Sequence, residues 1–141
     1  MNYFSFSDEE MKGIDVVKLL DYLCSVCDTI HLIQPHIKAD DKNLVKKLKP
    51  YIIKSSKTYK WLGEERGKSH PLGPYIENVI NLTPKVINEF KKYGVLLKKA
   101  SGFDIAFYKN EECYMFNVAH ENFFALNPNT MADFIDKYKK I

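Results

Sequence analysis

Arginine is nearly missing from this chain. Arg66 is the one guanidinium among 21 basic residues, all the others being lysines. That removes the planar, two-pronged donor that reads guanine edges and clasps phosphates in pairs of hydrogen bonds. Cysteine is scarce as well: three residues, an odd number, two of them near neighbours. Such a set makes a poor disulfide framework and points to a reducing cytosol. No apolar run approaches the ~20 residues that a membrane helix needs. The opening MNYFSFSDEE is acidic and lacks a basic leader, so it does not read as a signal peptide. No Walker, RNP, GxGxxG or GxSxG pattern is present, which leaves nucleotide, RNA and serine-hydrolase chemistry without their usual sequence carriers.

What is present is enough to fold. The chain has 141 residues, 45% of them hydrophobic, with nine tyrosines and nine phenylalanines. That length suits one domain with a real core. The formal net charge is +3, but it is unevenly spread. Residues 42–63 hold seven lysines (42, 46, 47, 49, 54, 57 and 60) and no acid, so the rest of the chain carries 3 − 7 = −4. A basic strip on a mildly acidic body is the expectation.

The periodicity outlines an α+β architecture. Ser7 with Glu10 has the spacing of a capping box, but Gly13 defers the first helix to Asp15, from which Val16, Leu19, Leu20, Leu23 and Cys27 recur at helical intervals. TIHLIQ, 29–34, is β-prone and is closed by Pro35. KADD then signals a helix with Leu44, Val45 and Leu48 on one face, and Pro50 ends it near Lys49. YIIKSSKTYKWLG, 51–63, reads either as a hairpin around Ser55-Ser56 or as a continued, kinked helix. Residues 63–75, with three glycines and two prolines, form the strongest loop signal. Thr83 as N-cap, Pro84 at the first helical position and Gly94 as a stop bracket another helix with Val86, Ile87 and Phe90 on one face. Four β-prone runs follow: VLLKKA, FDIAFYK, CYMFNVA and FFALN. Short polar separators between them predict a four-stranded antiparallel meander in the C-terminal half. Met131, Phe134, Ile135 and Tyr138 then mark a closing amphipathic helix that covers one face of the meander. One α+β domain spanning 1–141 is expected.

Few constellations suggest chemistry. Cys24, Cys27, His31 and His36 are the residue types that bind zinc, but three residues between Cys27 and His31 leave little room for the chain to loop back around a metal. A redox CxxC belongs at a helix N-terminus, and this one falls at the predicted C-terminal end. No metal or other cofactor is therefore expected. Cys113, Ser69 with His70, and His120 with Glu121 are the nucleophile and base candidates, and none has a recognised setting. The carboxylate pairs Glu9–Glu10, Asp40–Asp41, Glu64–Glu65 and Glu111–Glu112 are sequence neighbours in caps or turns, which suits solvation better than acid–base work. Nothing argues positively for an enzyme.

The helix, the strand run FDIAFYKNEECYMFNV and the closing NTMADFIDKY, within about residues 95–138, resemble the small immunity proteins of bacterial toxin systems, including the SUKH type. The resemblance implies a cytosolic, non-catalytic protein that binds and occludes a toxin. It carries over no binding residues. From the residues themselves, Lys57, Tyr59, Lys60, Trp61 and Arg66 are the expected contacts for a protein partner, aromatic anchors within a charged rim. The same lysine and aromatic strip, 42–63, supports an alternative, a nucleic-acid-binding module.

Overall fold

The computed structural model describes residues 4–6, 15–35, 43–61, 64–65, 67–93, 103–118 and 123–139. Ser7, Glu10, Gly13, the KADD entry and Gly94 lie outside the described residues, as does VLLKKA.

The first helix, α1 (Val16–Val26), starts where Asp15 caps it: Asp15 Oδ1 accepts the Lys18 N–H at 3.1 Å. It stops at Cys27, whose N–H still donates to Leu23 O at 2.8 Å while its backbone turns extended. Strand β2 (Thr29–Gln34) follows at once, after the short β1 (Phe4–Phe6). The single-turn helix α2 (Leu44–Leu48) runs into a 3₁₀ turn over Lys49–Tyr51, so Pro50 ends the helix as expected. Helix α3 (Pro84–Tyr93) is capped by Thr83, whose Oγ1 accepts the Val86 N–H at 3.3 Å. The closing helix, α4, spans Ala132–Lys139.

The remaining strands are β3 (Ile52–Thr58), β4 (Lys60–Trp61), β5 (Glu64–Glu65), β6 (Tyr75–Asn81), β7 (Asp104–Lys109), β8 (Glu112–Val118) and β9 (Phe123–Leu126). Seven of the nine form one antiparallel sheet in the order β1-β9-β8-β7-β2-β6-β3, and β4 pairs with β5 apart from it. The predicted four-stranded meander is corrected: β7-β8-β9 do run as a meander, but the place beside β7 is taken by β2, and the unit is the flank of a larger sheet joined by β1 at its other side. Both readings of 51–63, the hairpin around Ser55-Ser56 and the continued helix, are also corrected. Both serines are mid-strand in β3, which pairs with β6 from Ile52 to Thr58, and the local antiparallel pair comes later, at β4 and β5.

Register explains how the layers separate. One row across all seven strands reads Ile52, Ile80, Ile30, Phe107, Met115, Leu126, Phe4, apolar at every position. Its members Ile30, Ile80, Phe107, Met115 and Leu126 pack with Leu19, Leu20 and Leu23 of α1, Leu44 and Leu48 of α2, Val86, Ile87 and Phe90 of α3, and Ile135 of α4. The helices therefore share one face of the sheet. Each such buried side chain contributes roughly 1.5–3 kcal/mol of transfer free energy. Because strand side chains alternate, the neighbouring row (Lys54, Val79, His31, Ala106, Phe116 and Ala125) belongs to the other face. A smaller cluster of Ile33, Tyr75 and Ala106, flanked by Tyr108, Cys113 and Phe116, lies there.

Candidate functional site

The lysine strip is split between three structural settings at one margin of the sheet. Lys46 and Lys47 are exposed on α2, Lys49 is exposed in the 3₁₀ turn, and Lys54 and Lys57 are exposed on β3, the outermost strand. Lys54 lies opposite Val79 and Lys57 opposite Ile76, three residues apart, so the two point to opposite faces of the sheet. Among the described residues Lys47, Lys49, Lys54, Lys57 and Lys60 form no ion pair.

The expected contact residues fare differently. Lys57 is exposed on β3 and Tyr59 is half-buried in the bend that follows. Thr58 makes that bend: its Oγ1 donates to Lys60 O at 2.8 Å and accepts the Lys60 N–H at 3.2 Å. Lys60 and Trp61 form β4, with Glu65 and Glu64 at their respective register positions. Register thus sets an acidic residue opposite Lys60 and another opposite Trp61, so the strip that is free of acid in sequence has acidic neighbours in the strand pair. Arg66 lies outside the described residues.

Cys24, Cys27 and His31 are not gathered. Cys27 packs in the helix-side core, where burial first, and then Asp28, push its thiol up to about 12. His31 projects from the opposite face of β2. Its ring packs against Tyr108 at a centroid distance of 4.3 Å with the planes tilted by 40°, and its Nδ1 is 3.7 Å from Glu77 Oε1. Burial lowers the His31 pKa, and Glu77 opposes that shift. His36 lies outside the described residues, and among those described no three potential ligands converge.

Cys24 borders a groove of about 330 Å³ between α1 and α3, lined by Asp21, Ser25, Ile87, Asn88 and Lys91. Lys91 bridges to Asp21 across its mouth. Burial and Asp21 raise the Cys24 thiol pKa, with Lys91 opposing, which is the reverse of an activated nucleophile. Cys113 is half-buried and its thiol points at Met115 O, 3.6 Å away. His70 is committed to its own turn, where Nδ1 accepts the Leu72 N–H at 3.1 Å. His120 and Glu121 lie outside the described residues.

Two features escaped the sequence. The first is β6 itself, the strand on which β3 and β2 both pair. YIENVIN alternates Ile76, Asn78 and Ile80 on the helix face, so a polar residue sits where the pattern needs an apolar one. The second is what that residue does. Asn78 is 2% exposed, and its amide donates to Gln34 Oε1 at 2.8 Å and to Leu32 O at 3.3 Å, while its Oδ1 accepts from the Ser55 hydroxyl at 2.7 Å. Ser55 is exposed, so this chain of amides and hydroxyl ties the outermost strand to the buried interior. The only sequence trace was asparagine between isoleucines.

No helix among the described residues is long and apolar enough to cross a membrane. No family model matches the chain, and neither a curated protein nor a solved structure matches it.

Proposed function

We propose that this chain is a non-catalytic binding domain that associates stoichiometrically with an acidic protein surface, in the manner of an immunity protein that occludes a toxin or effector. The supporting observation is the group Lys47, Lys49, Lys54 and Lys57: exposed, without an ion pair among the described residues, and carried by β3, the outermost strand, and by the helix and turn that lead into it. Unpaired surface charge of one sign accelerates encounter with a partner of the other sign and fixes its orientation. Ile53, 65% exposed between Lys49 and Lys54, adds an apolar contact inside the charged rim. Of the described candidates, the Cys113 thiol points at Met115 O and the His70 Nδ1 accepts the Leu72 N–H, while Ser69 is exposed and hydrogen-bonded to no base among the described residues, which favours binding over catalysis.

A nucleic-acid partner is the second reading, and the same unpaired lysines favour it. The half-burial of Tyr51 and Tyr59 weighs against it, since a single-strand platform needs open ring faces.

The test is growth. The product of the reading frame adjacent to this gene is expressed in a sensitive host with and without the chain. Restored growth, together with a complex of fixed stoichiometry by light scattering, is expected. Replacing Lys47, Lys49, Lys54 and Lys57 by glutamate should abolish both. Continued growth arrest in the presence of well-expressed wild-type chain defeats the immunity reading, and retention of DNA or RNA on a filter at low salt with steep loss at moderate salt selects the second.

A further inference from the structure

We propose that the free edge of β3 receives an extended, acidic segment of the partner protein as an eighth strand. This rests on the reading of the lysine margin as a protein-binding surface and specifies how the partner is held. β3 is the last strand of the sheet, and β6 is its one neighbour among the described residues. Among the described residues, no backbone hydrogen bond is made from Ile53 to Lys57 on the side away from β6. In an antiparallel strand about half the N–H and C=O groups face each side, so these five residues offer an edge roughly 17 Å long. Ile53, Lys54, Ser55 and Lys57 are exposed along it.

The side chains identify the occupant. Lys54 and Lys57 stand on opposite faces of the sheet, so a strand laid beside them would meet one positive charge on each face, three residues apart. Opposite charges on adjacent strands stabilise the pair and like charges oppose it. A second copy of this chain would set lysine beside lysine along the seam, which is how natural sheets discourage edge-to-edge pairing. A strand with carboxylates three residues apart would meet complementary charge on both faces. The register slip between Ile52 and Lys54 leaves Ile53 without a partner on β6, and its exposed side chain supplies an apolar contact to the same strand. On the inner side, the Ser55–Asn78 hydrogen bond fixes the edge against the sheet, so little ordering is left for the moment of binding.

The probe is a blocked octapeptide of valine and threonine with two glutamates three residues apart, titrated into the full chain at low salt while amide signals are followed by NMR. Binding should shift and slow the exchange of alternate amides in Ile53–Lys57. Two N-methylated forms, blocking alternate amides in the two phases, separate strand addition from charge attraction. One phase should bind at least about tenfold more weakly and the other nearly as well as the parent, because each form removes a different set of edge hydrogen bonds. Replacing Lys54 and Lys57 by glutamate should transfer preference to the peptide with lysines in place of glutamates. Equal binding of the two N-methylated forms overturns strand addition while leaving a charge-driven surface intact. Absence of binding by any peptide overturns it as well, and the growth assay still reads the broader proposal independently. A dimer in solution that dissociates on replacing Lys54 and Lys57 would assign the edge to a second copy and overturn the acidic occupant.

Discussion

At the scale of single residues, polar groups carry the specificity of this fold. Asn78 replaces an apolar neighbour on the helix face and satisfies itself with Ser55, Gln34 and Leu32. Asn117, fully buried, accepts the Ile105 N–H at 2.6 Å, and Asn127 donates to Cys113 O at 2.9 Å while accepting the Asn129 N–H at 3.0 Å. A buried amide lost without replacement costs about 1–3 kcal/mol. Asn78→Leu should therefore lower stability in urea by about that amount, and exchange of the β3 amides should quicken more than that of β7, because the tie to the edge strand is cut. His31 makes a different prediction. Its folded pKa lies below the unfolded value of 6.5, so the unfolded chain binds the proton more readily. The stability held by the neutral imidazole is fully present above pH 6.5 and is lost as pH falls from there through the folded pKa. His31→Gln should flatten that part of a stability–pH curve. Glu77→Gln should move the His31 titration still lower, because Glu77 opposes the lowering caused by burial.

Elements show where local rules sufficed and where they did not. Thr83 caps α3 as its sequence predicts, and Asp15, where the sequence starts the first helix, proves to be the cap of α1. Asp15→Ala should cost about 1 kcal/mol, visible as a lower urea midpoint with an unchanged slope. The β7–β8 hairpin turns on Asn110 and Glu111, both in the left-handed region at φ 48° and 68°. Asparagine tolerates that region and glutamate does not, and two such residues make the turn whose twist suits a hairpin. Glu111→Gly should stabilise the protein by up to about 1 kcal/mol in the same denaturation measurement. β3 and β6 are the counterexamples. β3 carries Lys54, Ser55, Ser56 and Lys57 in succession, which reads as a turn because an edge strand has water on more than one side. β6 hides behind Asn78, whose burial makes sense only with Gln34 and Ser55 beside it. Those partners are 44 and 23 residues away, beyond any local window.

At the scale of the whole molecule, the sheet joins segments from both ends of the sequence, with β1 on β9 and β2 between β6 and β7. The helices cover the row that runs from Ile52 to Leu126, and the lysine margin lies at the β3 end of that row. Phe90 sits fully buried in this shared layer, so Phe90→Ala should cost about 3–5 kcal/mol and loosen helices and sheet together in a single cooperative transition. A charge reversal at Lys54 and Lys57, both exposed, should leave stability nearly unchanged while slowing association with an acidic partner and removing most of its salt dependence.

The sequence by itself determined the α+β class, the extent of α1, α3 and α4, the strand at 29–34 and the two hairpin partners β7 and β8, because each rests on periodicity, caps and turn residues within a few positions. It also determined that residues 42–63 would be basic. The order of the strands, the place of β3 at the margin, the separation of Cys27 from His31 by the thickness of the sheet, and the meeting of Lys60 with Glu65 were decided only by the tertiary structure. Each depends on pairing between distant segments, and a one-residue change of register would send every one of those side chains to the other face.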